Sequence, residues 1–264
     1  MPATLEYTVC HWPEGYYTRR VSYYLLIKGL VSSSADLLAG KSNAPNLRIS
    51  LSVFDNDTHS LHPPDPLDAK PVDKSLPSLQ VLDTSTGRTS WVRESSSIPL
   101  YLEDAYPNAP FLAPQTPLER AQMYDLLSLL ASAEAEGYVY LRHAHPLACK
   151  FWGVADGDRN LGAARNGKKQ MISKLKKLQE WGKETLDLTG WLTPGLDGPG
   201  LVDVQLAVWA RFQELGYDTD LFEDEGLGEL KEWYTRFKGL EWWIGLEERQ
   251  GSIPEGMKYG KGEI

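Results

Sequence analysis

Residues 75–102, SLPSLQVLDTSTGRTSWVRESSSIPLYL, decide how the rest of the chain is read. Two short β-prone runs, 79–83 and 89–92, flank Ser85-Thr86-Gly87, which has the composition of a tight turn, so the pair reads as a hairpin. Behind it, residues 95–106 carry Ile98, Leu100, Tyr101 and Leu102 in a short helical pattern that stops near Pro107. The block is β-β-α, with Pro77 at its entrance.

Working outward, residues 5–9 form a β-prone run. Residues 17–30 place Val21, Tyr24, Leu25 and Ile27 at helical spacing and end on Lys28-Gly29, a helix stopped by glycine. Residues 32–45 are polar and small, and 47–54 alternate through Leu47, Ile49, Leu51 and Val53 like a half-buried strand. Residues 59–74 hold four prolines and several aspartates and read as loop. The order β-α-β, loop, β-β-α is that of a thioredoxin-like α/β domain over residues 1–107. After a linker at 108–115 containing Pro110 and Pro114, the patterns turn helical. Pro117 suits a first helical turn, Leu118, Met123, Leu126, Leu127, Leu130 and Ala131 supply an apolar face, and further helices are predicted near 166–186, 202–215 and 227–240. An all-α domain over 115–264 follows, with a Gly-rich charged tail from 250 predicted to be extended or mobile.

A chain of 264 residues with 42% hydrophobic content can bury the cores of two such domains. The net charge of −9 disfavours tracking of nucleic acid or of anionic membrane, which needs a basic face. The one dense basic cluster, Lys168, Lys169, Lys174, Lys176 and Lys177, shares its stretch with Met171, Leu175, Leu178 and Trp181 and reads as a solvated helix face. Cys10 and Cys149 form no metal or disulfide spacing, and His59, His62, His143 and His145 read as surface or loop residues, so no metal is expected. The N-terminus lacks a signal-peptide pattern and no run of about 18 apolar residues occurs, so a cytoplasmic, membrane-free protein is expected.

The 75–102 block resembles the glutathione-site core of the glutathione transferase superfamily, in which a proline opens a β-hairpin and an acidic-Ser pair starts the next helix. The resemblance implies glutathione as cofactor. It implies a cis Pro77 that lets the Leu76 main chain bond the cysteinyl unit, Ser95 at a helix N-terminus holding the γ-glutamyl carboxylate, and Glu94 holding the ammonium. Alone, Glu94-Ser95 is ordinary capping sequence; the proline and hairpin upstream turn the reading. In the C-terminal half, residues 198–207 resemble the family's buried helix start. Gly200 stands where a Ser or Thr cap is usual, so only the Asp203 half of that reciprocal cap is expected. Trp233 with Arg236, and Trp242-Trp243, resemble its last-helix pattern.

Family chemistry requires a hydrogen-bond donor that ionises the glutathione thiol. Setting Arg19-Arg20-Val21 on the family's basic-basic-apolar helix start puts Gly15 where a catalytic Ser or Cys is common, so that residue is missing. Tyr16, Tyr17 and Thr18 are the nearest hydroxyls and Cys10 the nearest thiol; Tyr17, Tyr16 and Cys10 remain the catalytic candidates. Trp12, with Tyr124 and Tyr138 from the helical side, and Tyr140 near them, are candidates for an aromatic substrate pocket. The resemblance implies a homodimer that adds glutathione thiolate to a small hydrophobic electrophile. Two alternatives stay open. One is a glutathione-dependent cis–trans isomerase, a use of the superfamily that includes fungal secondary metabolism; the other is a non-catalytic glutathione-binding module, which the missing residue at Gly15 favours.

Overall fold

A computed structural model describes residues 5–55, 60–62, 76–108, 110–248, 253, 257–262 and 264. It divides into two compact units, Met1–Leu112 with Leu240–Gly251, and Ala113–Gly239 with Ser252–Ile264.

In the first unit, β1 (Leu5–His11) leads into α1 (Tyr16–Ile27), a short α2 (Ser34–Leu38) and β2 (Leu47–Leu51). Two three-residue strands, β3 (Val53–Asp55) and β4 (Ser60–His62), form a separate antiparallel pair; then come β5 (Ser78–Asp83), β6 (Arg88–Val92) and α3 (Ser97–Ala105). The four-stranded sheet has the order β2-β1-β5-β6, with β1 parallel to β2 and antiparallel to β5. This is the thioredoxin-like arrangement the sequence predicts. The hairpin turn closes where expected: the Asp83 carboxylate accepts from the Ser85 amide at 2.9 Å, and Gly87 takes the left-handed φ of 70°. Two segments read from sequence as irregular carry structure. Ser33 caps α2 through the Asp36 amide at 3.1 Å, within the stretch read as merely polar, and β4 lies in the proline-rich segment, whose residues 63–75 fall outside the described set.

Helix α1 is buried on nearly every face, including Arg19 and Arg20. A helix covered all round must be packed on more than one side. One cover is the segment after Leu240: Tyr23 lies against Trp242 and Trp243 with ring centroids 4.8 and 5.5 Å apart. Glu247 there takes an ion pair from Arg19 at 3.1 Å and a hydrogen bond from the Tyr23 hydroxyl at 2.8 Å.

The second unit contains α4 (Pro117–Ala144), α5 (Pro146–Phe151), α6 (Leu161–Thr189), α7 (Leu201–Tyr217) and α8 (Gly228–Lys238). Thr116 caps α4 ahead of Pro117, and Asn160 caps α6 through the Ala163 amide at 2.9 Å. Asp203 near the start of α7 is fully buried. It accepts five hydrogen bonds, from the Leu192, Thr193 and Gly200 amides, the Thr193 hydroxyl and the Trp233 indole, at 2.7–3.0 Å. The cap is also more complete than the sequence suggests. The Thr193 hydroxyl accepts from the Val202 amide at 3.1 Å, and a Cβ at Gly200 would fall 2.6 Å from the Thr193 side chain. Thr193 therefore fills, from outside the helix, the place of the missing Ser or Thr.

Two further expectations are corrected. The described residues of the tail are packed, not loose: Tyr259 sits on Tyr217 with centroids 5.1 Å apart, its amide bonds the Gly216 carbonyl at 2.6 Å, and the Tyr140 hydroxyl donates to the Ile264 carbonyl at 3.0 Å. His145 is fully buried rather than at the surface. It stands edge-on to Tyr140 and Tyr217, with Nδ1 2.8 Å from the Gly260 carbonyl, and burial lowers its pKa. In the lysine cluster, Lys168, Lys174 and Lys176 pair with Glu223, Glu136 and Asp224 at 2.8–3.1 Å. Among the described residues no helix is long and apolar enough to cross a membrane.

Candidate functional site

Of the sequence-predicted residues of the first unit, Tyr16 at the start of α1 and Ser95 ahead of α3 meet on one side chain, that of Arg20. The Leu76-Pro77 peptide bond is cis and leads directly into β5, with Leu76 half-buried and Pro77 buried. At the far end of the hairpin, the Glu94 carbonyl accepts from the Ser97 and Ile98 amides at 2.9 and 3.1 Å, and Pro99 contributes no N–H. Among the described residues the amides of Ser95 and Ser96 find no partner, so this helix start keeps two donors for an anion. The Glu94 side chain is exposed, while Ser95 is 6% exposed.

Space explains the glycine in the β1–α1 loop. A Cβ at Gly15 would lie 2.7 Å from both the Thr18 hydroxyl and the Trp12 ring, so no serine or cysteine fits there without moving them. Trp12 is held in turn, stacked on Phe54 of β3 with centroids 5.7 Å apart and donating from its indole to Glu14 at 3.3 Å. The Thr18 hydroxyl is committed to the loop backbone, donating to the Gly15 carbonyl at 2.9 Å and lying against that of Trp12. Cys10 is 4% exposed within β1, paired with Ser50 of β2 on one side and Ser78 of β5 on the other. Tyr17 is half-exposed, its ring 4.7 Å from that of Tyr16.

Tyr16 is connected to the other end of the site. Arg20, one helical turn on, donates from Nη2 to the Tyr16 hydroxyl at 3.2 Å and from Nη1 to Ser95 Oγ at 3.3 Å. Its guanidinium lies 5.3 and 5.4 Å from the Tyr16 and Tyr17 ring centroids. Arg20 is the residue that sequence reasoning passed over. Its (i, i+4) spacing from Tyr16 was visible, but its contact with Ser95 joins separate elements and was not.

In the second unit, Tyr124 is exposed and Tyr138 is half-buried, edge-on to Trp152 at 5.7 Å. Both are on α4, fourteen residues apart and so about 21 Å apart along the helix axis, and one small molecule cannot rest on both. Tyr140 is 3% exposed and belongs to the core under the tail. His59 lies outside the described residues. His62 is exposed, 3.9 Å from Asp55, and the His143 ring accepts from the Asn160 amide at 3.4 Å.

No protein-family profile and no curated protein match the sequence. Solved structures do match. FzlA from C. crescentus is similar over 96% of both chains, with a TM-score of 0.60 and 19% identity. A glutathione S-transferase from Methylobacterium radiotolerans, solved in complex with glutathione sulfonate, covers 91% of this chain and 94% of its own, with a TM-score of 0.55 and 14% identity. A maleylacetoacetate isomerase from Anaeromyxobacter dehalogenans covers 95% of each chain, with a TM-score of 0.56 and 19% identity. With the sheet order and the helical second unit, these likenesses show that the chain has the glutathione S-transferase fold: a thioredoxin-like N-terminal domain followed by an all-α domain.

Proposed function

We propose that this protein is a glutathione-dependent transferase that adds the glutathione thiolate to a small hydrophobic electrophile. The observation that carries the reading is the meeting of Tyr16 and Ser95 on one guanidinium. A candidate thiol partner and a candidate carboxylate partner, from opposite ends of the first unit's sequence, stand within reach of one short tripeptide. Ser95, with its free amide and that of Ser96, takes the γ-glutamyl carboxylate; Glu94 takes the ammonium; the Leu76 main chain aligns the cysteinyl unit in a strand-like manner.

Tyr16 is the sulfur's partner in this reading. Thr18 donates to the loop backbone, Cys10 is enclosed in the sheet, and the Tyr16 hydroxyl accepts from the buried Arg20 guanidinium. A donor to sulfur favours the thiolate over a thiol of pKa about 8.5. The glutathione sulfonate complex of a protein with this fold supports glutathione as the cofactor. The homodimer and the cytoplasmic location rest on resemblance to the superfamily.

A cis–trans isomerase is the second reading. It is favoured by Phe54 of the β3–β4 pair, which lays an apolar wall on Trp12 beside the β1–α1 loop, and by the likeness to a maleylacetoacetate isomerase. There the adduct forms, rotates about the bond made single, and expels glutathione unchanged. Incubation with glutathione and candidate enones, read by mass spectrometry, separates the readings. A stable mass gain of one glutathione means transferase, and geometric isomers with glutathione unconsumed mean isomerase. Glutathione binding without either product leaves the non-catalytic module. In the enzyme, Tyr16→Phe raises the pKa of bound glutathione, followed by thiolate absorbance, and Tyr17→Phe leaves it in place; the reverse result reassigns the role.

A further inference from the structure

We propose that Glu247 is a positioning residue for the glutathione chemistry: acting through Arg19, it fixes the β1–α1 loop and so sets where Tyr16 stands against the sulfur. The inference rests on the glutathione reading above and deepens it, because it assigns the alignment of that site to a carboxylate 228 residues beyond Arg19 in sequence.

Helix α1 starts without the usual cap. Its N-cap is Gly15, which has no side chain to cap with, and its first turn holds no acidic residue to meet the positive end of the helix dipole. The loop is fastened instead by side chains from inside the helix. Thr18 donates to the Gly15 carbonyl at 2.9 Å, and Arg19 Nη1 donates to the Glu14 carbonyl. Glu14 lies two residues before Tyr16, so whatever holds the Arg19 fork also holds the chain that delivers Tyr16.

Glu247 holds that fork. Arg19 Nε meets its Oε1 at 3.1 Å, with the two side chains only 2% and 1% exposed. A cation one turn into a helix opposes the dipole, and a buried ion pair gains little over apolar packing, so stability is a weak reason for this pair. Its geometry supplies a better one. The planar guanidinium reaches the carboxylate with one nitrogen and the loop carbonyl with another, which the single point of a lysine ammonium does not. The same Oε1 accepts from the Tyr23 hydroxyl at 2.8 Å, so one carboxylate grips two successive turns of α1.

The segment that carries Glu247 is itself anchored. Helix α9 (Glu241–Trp243) runs into a π-helical turn at Ile244–Glu248, a rare form found mostly at functional sites. The Ser34 hydroxyl donates to the Trp242 carbonyl at 2.8 Å, the Tyr23 ring lies against Trp242 and Trp243, and a Cβ at Gly245 would fall 2.9 Å from Ser34 Oγ. All of these contacts lie within one compact unit, because Leu240–Gly251 belongs with the thioredoxin-like half. Leu76, Glu94 and Ser95, which take the rest of the ligand in this reading, stand on other stretches of that unit, ahead of β5 and α3. The Glu247 grip therefore bears on the sulfur end of the ligand and not on the γ-glutamyl end.

The experiment measures two quantities in each protein: the pKa of the bound glutathione thiol by thiolate absorbance, and the affinity for S-methylglutathione by calorimetry. Glu247→Gln is expected to raise the thiol pKa by about one unit, which leaves about tenfold less thiolate near neutral pH. S-methylglutathione has no thiol to ionise, and its affinity is expected to stay within about twofold of wild type. Arg19→Lys keeps a cation beside Glu247 without the fork; it is expected to give the same rise in thiol pKa, and it carries the test if the glutamine variant fails to fold. A wild-type thiol pKa in the folded variants overturns the proposal, and so does a loss of S-methylglutathione affinity of about tenfold, which marks general damage to the unit. Failure of the unaltered protein to bind glutathione is a different result, and it defeats the underlying reading and this proposal together.

Discussion

His11 makes the structure's sharpest prediction about pH. It ends β1 with no exposed surface, and its Nε2 lies 2.8 Å from Ser22 Oγ of α1. Burial first, and the positive charge of Arg19 second, lower its pKa from 6.5 to about 3, so the native imidazole is neutral at neutral and mildly acidic pH. The unfolded chain binds its proton near 6.5. Between those values the unfolded state holds more protons than the native one, so stability is full above pH 6.5 and falls as the pH drops toward 3. Each pH unit is worth about 1.4 kcal/mol, which gives roughly 3 kcal/mol by pH 4.5 and about 5 kcal/mol at the limit. His11→Gln keeps an amide within reach of Ser22 and removes the titration. Carboxylates elsewhere respond to acid in both proteins, so the difference between them isolates His11. Urea unfolding at pH 7.5, 5.5 and 4.5 is expected to show wild type losing ground to the variant as acid is added. A difference that stays constant across the three values, or a native imidazole seen by NMR to titrate near 6.5, refutes the reasoning.

Ser95→Ala and Glu94→Ala are each expected to weaken glutathione binding roughly tenfold or more, and calorimetric affinities unchanged by both would remove the site. Glu247→Gln removes the charge of the carboxylate that pairs with buried Arg19 and is expected to cost about 3–5 kcal/mol in urea unfolding; a cost below about 1 kcal/mol would mean that the pair is not held as seen. Asp203→Asn turns an NH2 group toward at least two of the donors that now converge there, and a loss of about 3 kcal/mol or more is expected; a variant with wild-type thermal stability contradicts the five-bond cap. Light scattering at micromolar protein is expected to return the mass of a dimer, and a monomer mass removes that part of the proposal.

What the sequence by itself determined is what neighbouring residues can express. The hairpin across residues 79–92 is written in two β-prone runs around Ser85-Thr86-Gly87, and the observed turn is closed by Asp83 and Gly87 within that stretch. The start of α4 is written in Thr116-Pro117, and the end of α1 in Lys28-Gly29, because caps and stops are hydrogen-bond problems solved within one turn. The element order of the thioredoxin-like half followed from such local signals. The tertiary structure decided everything that depends on which distant side chain fills a given space. Gly200 read as a cap with its hydroxyl missing, yet Thr193 supplies that hydroxyl from outside the helix. Gly15 read as a lost catalytic position, yet Trp12 and Thr18 occupy the volume a side chain would need. The charged tail read as extended or mobile, yet its Tyr259 amide bonds the Gly216 carbonyl and its Gly260 carbonyl lies against His145. Arg20 read as part of a helix-start pattern, and only the fold brings Ser95 to its guanidinium. Periodicity records which face of an element is apolar, but it carries no record of the partner that face will meet, and the candidate site is made of such partners.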